Sequence, residues 1–258
     1  MNSHSSRETA AVALSLLDLT NLNDECTQEQ IDTLCARAQT LYGNSAAICI
    51  WPRFVAHART VLGKGHPVHI ATVVNFPSGD LEIADVAAET REAIADGADE
   101  IDLVIPYRKL ISGNEKAVTD MVSAVRAECV APVLLKVIIE TGELKDAGLI
   151  RRASELAIEA GADFIKTSTG KVSVNATLEA ADIMIRSIRE SGRKVGFKPA
   201  GGISTVADAA LYLSLAETIM TPDWPMPSTF RFGASGLLDH ILAVLSGTEP
   251  RPAAVLSY

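Results

Sequence analysis

Gly161-Ala162-Asp163-Phe164-Ile165-Lys166-Thr167 marks a change of period, where a helical pattern stops and a strand begins. Upstream of it, Ile150, Ala153, Leu156, Ala157 and Ala160 recur at the spacing of one helix face. Past the glycine, a short bulky apolar run is what a strand buried on both sides requires. The glycine is placed to take the left-handed conformation that ends a helix without a Cβ clash. Gly97-Ala98-Asp99, leading into Glu100-Ile101-Asp102-Leu103-Val104-Ile105, has the same form, so one structural unit is used twice.

Working outward from these two units, eight apolar runs stand out, at 16–20, 46–50, 68–74, 100–105, 133–139, 163–167, 195–198 and 230–233. Helical faces separate them, for example Ile31, Leu34, Cys35 and Ala38, or Val118, Met121, Val122, Val125 and Cys129. Thr27-Gln28-Glu29-Gln30 has the spacing of a capping box and predicts a helix start. Strands alternating with helices build parallel sheets, either closed as a (β/α)8 barrel or open and doubly wound. No Gly-x-Gly-x-x-Gly follows any strand, which removes the main support for the open dinucleotide-binding form. The expected fold is therefore an α/β (β/α)8 barrel, preceded by an N-terminal helix.

A chain of 258 residues that is 48% hydrophobic can bury roughly 70–75% of its unfolded surface in one core. No Ser/Pro/Gly-rich tract or charge block interrupts the alternation between Ala11 and Ser246, so one domain is expected over 1–258, with a flexible tail from about 247. The apolar stretch 10–17 runs straight into Asp18-Leu19-Thr20 without a small-residue cleavage site, and Glu8 sits beside Arg7. A signal peptide is not expected. The net charge of −9 repels polyanions, so neither nucleic acid nor an anionic membrane surface is an expected partner. Cys26, Cys35, Cys49 and Cys129 form no Cys-x-x-Cys pair, which fits reduced thiols and a cytoplasmic location.

Three lysines interrupt apolar strands: Lys136, Lys166 and Lys198. A buried ammonium loses its hydration unless it is paired or gives up its proton. If Lys166 and Lys198 stand together at the carboxyl ends of their strands, each cation disfavours protonation of the other, and burial acts in the same direction. One neutral amine results, suited to attack on a carbonyl. Composition alone does not choose between the two. Asp102 and Asp18 are expected to point inward at lysine or water, while Lys136, deeper in its strand, could serve a purely architectural salt bridge.

Glycine-rich turns follow the late strands, at Thr169-Gly170-Lys171, Gly201-Gly202 and Ser235-Gly236. In barrel enzymes the loops after strands seven and eight often cradle a phosphate. His57, His66, His69 and His240 show no convincing metal site, and His66 and His69 are read as a loop and a strand start. The stretch 222–227, with three prolines, has no evident physical role.

Phe164-Ile165-Lys166-Thr167-Ser168-Thr169-Gly170, Gly196-Phe197-Lys198-Pro199-Ala200-Gly201-Gly202, Leu135-Lys136-Val137-Ile138-Ile139-Glu140-Thr141-Gly142 and Arg231-Phe232-Gly233-Ala234-Ser235 together resemble the deoxyribose-phosphate aldolases. The likeness runs from about Leu14 to Leu238 and takes in Tyr258. It implies a class I aldolase that reversibly cleaves 2-deoxy-D-ribose 5-phosphate to D-glyceraldehyde 3-phosphate and acetaldehyde, in deoxyribonucleotide catabolism, with no cofactor and no metal. By the resemblance, Lys166 is the Schiff-base residue, Lys198 its perturbing neighbour, and Asp102 the carboxylate of proton transfer. Thr169, Lys171, Gly201, Gly202, Ser235 and Gly236 then fall at the phosphate side. Asp18, Thr20, Cys49 and Lys136 line the pocket, and Tyr258 reaches it from the tail. At Gly236 the chain departs from the family, which has a second serine there, so one hydroxyl fewer is available to the phosphate. The expected partners are the small phosphorylated sugar and acetaldehyde, with a homodimer as the assembly. Another Schiff-base lyase or transaldolase on the same barrel, or a non-catalytic barrel that binds a sugar phosphate, are the alternatives.

Overall fold

A computed structural model describes residues 5–248. The chain enters through the helix Ser6–Ser15, started by a reciprocal box in which Ser5 Oγ accepts Glu8 N–H and the Glu8 carboxylate accepts Ser5 N–H. Eight strands follow: β1 (Leu17–Asn21), β2 (Ala47–Ile50), β3 (His69–Val74), β4 (Glu100–Val104), β5 (Leu134–Ile138), β6 (Phe164–Lys166), β7 (Gly196–Lys198) and β8 (Phe232–Ala234). They pair in parallel from β1 through β7, with β8 on the far side of β1. Parallel bridges between Phe197 and Phe230 and between Ala200 and Gly233 join β7 to the β8 segment. Gly233 N–H donates to the Pro199 carbonyl at 3.0 Å there, so the sheet closes into a (β/α)8 barrel. Among the described residues no helix is long and apolar enough to cross a membrane.

The repeated Gly-Ala-Asp unit shows how sequence sets the joins. Gly97 and Gly161 have φ of 107° and 104°, and the N–H of the following alanine reaches back to Ala93 and to Ala157, the 6→1 bond of a Schellman ending. A Cβ on either glycine would meet the stem of an arginine, Arg59 Cγ at 2.9 Å or Arg126 Cγ at 3.1 Å. Each arginine then pairs with the aspartate of its unit, Asp99 or Asp163, at 2.5 Å. Those carboxylates also accept the N–H of Ile70 and Leu135 at 2.8 Å. Helix end, strand start and neighbouring strand are thus tied at one point.

Alternation along the strands divides the core in two. Residues facing out from the barrel, such as Ile101, Leu103, Val137 and Ile165, join the helices in one large apolar cluster. Facing in, Ala47, Cys49, Ala71 and Val73 make a small apolar patch with Leu22. Much of the rest of the interior is charged, carrying Asp18, Glu100, Asp102, Lys136, Lys166 and Lys198, all buried.

The expected strands agree with the observed ones to within two residues at each end. The largest change is β8, which starts at Phe232 rather than 230 because Thr229 and Phe230 N–H both still donate to the Met226 carbonyl at 2.8 Å. The stretch 222–227 has a structural role after all. Trp224 packs edge-on against Phe230, with centroids 6.3 Å apart, and the Pro227 carbonyl accepts Arg231 Nε at 2.6 Å. A hairpin of Gln39–Thr40 with Gly43–Asn44 and a short helix Tyr107–Ile111 were not foreseen, since neither carries enough residues for a period.

Candidate active site

Register brings the charged side chains together. Lys166 and Lys198 are direct partners across β6 and β7, and Asp102 is the partner of Lys136 across β4 and β5. Asp102 stands at the centre: its Oδ2 accepts Lys166 Nζ at 2.7 Å and Lys198 Nζ at 2.8 Å, and its Oδ1 accepts Lys136 Nζ at 3.0 Å. Both candidate lysines therefore rest on one carboxylate oxygen, as their strand positions suggested. Asp18 Oδ2 lies 2.5 Å from Lys198 Nζ in an ion pair without hydrogen-bond alignment, and its Oδ1 accepts Arg231 Nη1 at 2.7 Å.

Two members of this network were missed from sequence. Glu100, fully buried, binds Lys136 and accepts Arg231 Nη2 at 2.8 Å. Arg231 joins Glu100 to Asp18 across the barrel floor. The signals were present: Glu100 is two residues before Asp102 on the same strand phase, and Arg231 is a charge between two phenylalanines. His69 is more than a strand start, because its Nδ1 lies 2.8 Å from Glu100 Oε1. That hydrogen bond raises the imidazole above its ordinary value, against the opposing effect of burial.

Within the ion network charge complementarity outweighs burial. Desolvation alone would raise the Asp102 carboxyl, but Lys136, Lys166 and Lys198 hold it well below the usual carboxylate range. Glu100 is held well below in the same way by Lys136 and Arg231. Burial would lower the Lys198 ammonium, yet Asp102 and Asp18 raise it above its ordinary value. Lys198 is accordingly a fixed cation beside Lys166. Lys136 is likewise raised by Asp102 and Glu100 against burial, which fits its architectural reading. Lys166 touches one carboxylate where Lys136 and Lys198 each touch more.

The other expected positions surround the barrel mouth. Thr20, buried, donates Oγ1 to the Asp18 carbonyl at 2.9 Å. Cys49 is fully buried in the small apolar patch, and burial pushes its thiol up while Lys198 opposes this. Thr169 is buried, and its Oγ1 accepts Lys171 N–H at 3.0 Å. Lys171 does not stand open toward a ligand: its Nζ donates to the Leu22 carbonyl at 2.9 Å, linking the loop after β6 to the loop after β1. Gly201 and Gly202 both have φ of 80°; at Gly201 a Cβ would also strike Asn175 at 2.8 Å. Ser235 and Gly236 directly precede the helix Leu237–Ser246. At Gly233 a Cβ would come within 3.1 Å of Lys198 Cε, so the missing side chain makes room for that lysine. Tyr258 lies outside the described residues.

A closed barrel whose interior sets two lysine nitrogens on one aspartate oxygen has the equipment of an enzyme that works on carbonyl groups through an amine. The sequence pattern of the DeoC/LacD family aldolases matches residues 12–235, and the chain belongs to that family. It is 72% identical over 248 residues to a deoxyribose-phosphate aldolase of Agrobacterium fabrum (strain C58 / ATCC 33970), covering 96% of either chain. Among solved structures, the apo form of a protein assigned as a deoxyribose-phosphate aldolase from Toxoplasma gondii ME49 superposes with a TM-score of 0.86 at 28% identity, over 95% of this chain and 98% of that one. A protein with the same assignment from Coccidioides immitis gives 0.82 at 29% identity, over 93% and 88%.

Proposed function

We propose that this chain is a class I aldolase that reversibly cleaves 2-deoxy-D-ribose 5-phosphate to D-glyceraldehyde 3-phosphate and acetaldehyde, acting through Lys166 as a single catalytic domain over 1–258. The observation that carries the proposal is the shared contact of Lys166 and Lys198 with Asp102 Oδ2 inside a closed barrel.

The Lys166 amine, after giving up its proton, adds to the C1 aldehyde of the sugar phosphate, and loss of water with uptake of a proton leaves a cationic imine. That imine is an electron sink. When the C3 hydroxyl gives up its proton, the C2–C3 bond breaks and its electrons pass toward the imine nitrogen. C3 leaves as the aldehyde carbon of glyceraldehyde 3-phosphate, while C1 and C2 stay on the lysine as an enamine. Protonation at C2 and addition of water then release acetaldehyde and regenerate the amine. Asp102, Lys198 and a water serve as the acid–base group. Asp102 is suited to this because its single carboxylate reaches both lysines. Thr169, Gly201, Gly202, Ser235 and Gly236 hold the phosphate, with Gly236 contributing its backbone only; Lys171 joins them when its Nζ leaves the Leu22 carbonyl, and Asp18, Thr20 and Cys49 shape the pocket. We further propose a cytoplasmic site of action, which the four buried free thiols fit, and a homodimer, to be read by light scattering.

Reduction of the enzyme with borohydride in the presence of acetaldehyde tests the reaction. Hydride adds to the imine carbon and leaves an ethyl group, which mass spectrometry is expected to find on Lys166, and Lys166→Ala should abolish cleavage of the sugar phosphate. An ethyl group on Lys198 instead, or near-normal turnover by Lys166→Ala, would reject the assignment. A barrel that only bound a sugar phosphate would acquire no adduct at all.

A further inference from the structure

The network inside the barrel sets four cations, Lys136, Lys166, Lys198 and Arg231, against three carboxylates, Asp18, Glu100 and Asp102. A fourth buried carboxylate stands beside it. Glu140 follows β5 with no exposure to solvent, in the left-handed region at φ 55° and ψ 60°. Glutamate rarely adopts that backbone, and residues so held cluster at functional sites. Two hydrogen bonds clamp it alongside the reactive strand: Ile139 N–H to the Lys166 carbonyl at 3.0 Å and Thr141 N–H to the Thr167 carbonyl at 2.9 Å. Its carboxylate accepts Thr169 N–H at 3.2 and 3.3 Å, and among the described residues no lysine or arginine nitrogen pairs with it. A buried, unpaired carboxylate is costly unless a cation nearby offsets it.

We propose that Glu140 is a positioning residue for the Lys166 imine, the carboxylate that balances the fourth cation of the site and so sets the pH range in which Lys166 reacts. The inference rests on the Schiff-base function proposed above. The charged and titratable groups around the pair are few. Glu140 feels Lys166 and the half-buried Glu143, and Tyr107 on the helix Tyr107–Ile111 feels Glu140 in turn. Lys166 is bound by Asp102, stands beside Lys198 in register, and acts on Cys49. Glu143 is partly solvated, which leaves Glu140 as the buried negative charge that no ion pair already uses. A negative charge there favours the protonated lysine and, later, the cationic imine. Burial pushes the Glu140 carboxyl up, while the Thr169 side chain and amide and the Lys166 charge pull it back, so its charge depends on that of its neighbour.

The experiment is the pH profile of borohydride trapping with acetaldehyde on the full chain, for the wild type and for Glu140→Gln and Glu140→Asp. The glutamine keeps an acceptor for Thr169 N–H and loses the charge; the aspartate keeps the charge and, being shorter, loses that contact. Glu140→Gln is expected to move the acid limb of the profile lower by roughly one pH unit and to reduce kcat for sugar-phosphate cleavage. Glu140→Asp is expected to leave the limb in place. Coincident limbs for wild type and Glu140→Gln, or equal displacement in both variants, would overturn the inference, the second pointing to a merely structural role. Thermal unfolding of each variant establishes that the compared proteins are folded. Failure of the wild type itself to form an ethyl-lysine at position 166 would instead overturn the function on which the inference rests.

Discussion

At the scale of the residue, the chemistry depends on Lys198 remaining charged while its neighbour reacts. Asp102 and Asp18 both face Lys198 Nζ, and together they outweigh its desolvation. Replacing it by leucine removes the cation from beside Lys166, so the proposed nucleophile holds its own proton more tightly. For Lys198→Leu we expect imine trapping near pH 7 to fall by at least about tenfold and to recover partly in alkaline buffer. Trapping rates measured across pH decide this; a loss that does not recover at high pH would mean that Lys198 contributes something other than its charge. Lys136 makes the contrast. It is as deeply buried, but its carboxylate partners include Glu100, toward the barrel floor and away from Lys166, so its loss should act on folding before it acts on the imine.

Among the elements, β6 and β7 are tightly specified against each other. Phe164 and Gly196 are direct partners, and a Cβ on Gly196 would stand 2.3 Å from the phenylalanine ring. The ring fills the place a side chain would take, and the Arg231 guanidinium lies over it at 5.8 Å. Gly196→Ala must displace that ring in a close-packed interior, where overpacking typically costs about 1–3 kcal/mol. Urea unfolding should report a loss of that size. Because Lys166 and Lys198 sit two residues further along the same strands, the trapping rate should fall with it. A variant as stable as the wild type would show that the ring has an alternative position.

For the whole molecule, the ion network makes a prediction about pH. The Asp102 and Glu100 carboxyls are depressed from ordinary values of 3.8 and 4.5. Their contribution to stability is fully present above those values and is lost as pH falls through the lower folded ones. Lys198 is raised from 10.5, so its contribution is present below that value and is lost only as pH rises through the higher folded one. The unfolding temperature should therefore drop below about pH 4 and, because His69 is raised from 6.5 by Glu100, decline modestly as pH rises past that value, which scanning calorimetry can follow; an acid limb already falling at pH 6 would contradict it. Burial also ranks the ion pairs. Arg231→Leu removes the cation that Asp18 and Glu100 share, leaving Asp18 to Lys198 and Glu100 to Lys136, and should cost about 3 kcal/mol. Breaking the exposed Arg186–Asp182 pair, at a spacing of four on one helix, should cost about 0.3–0.5 kcal/mol. Chemical denaturation of the two variants side by side measures the difference.

By itself the amino-acid sequence determined the barrel, because period is a local property. Strand runs, helix faces, the Thr27 box and the two Gly-Ala-Asp joins can all be read within a dozen residues. It also singled out Lys166, Lys198 and Asp102, since a charge in an apolar run is anomalous wherever it occurs. Only the tertiary structure decided which charges meet. Glu100 and Arg231 are 131 positions apart, Asp18 and Arg231 are 213 apart, and no local pattern encodes a contact made by closing a sheet on itself. For the same reason Lys171 turned out to reach the Leu22 carbonyl, and Glu140 emerged as a buried carboxylate beside the reactive strand. The physical cause is the range of the forces involved: backbone preference and hydrophobic period act along the chain, whereas an ion network in a dry interior is specified by register between strands distant in sequence.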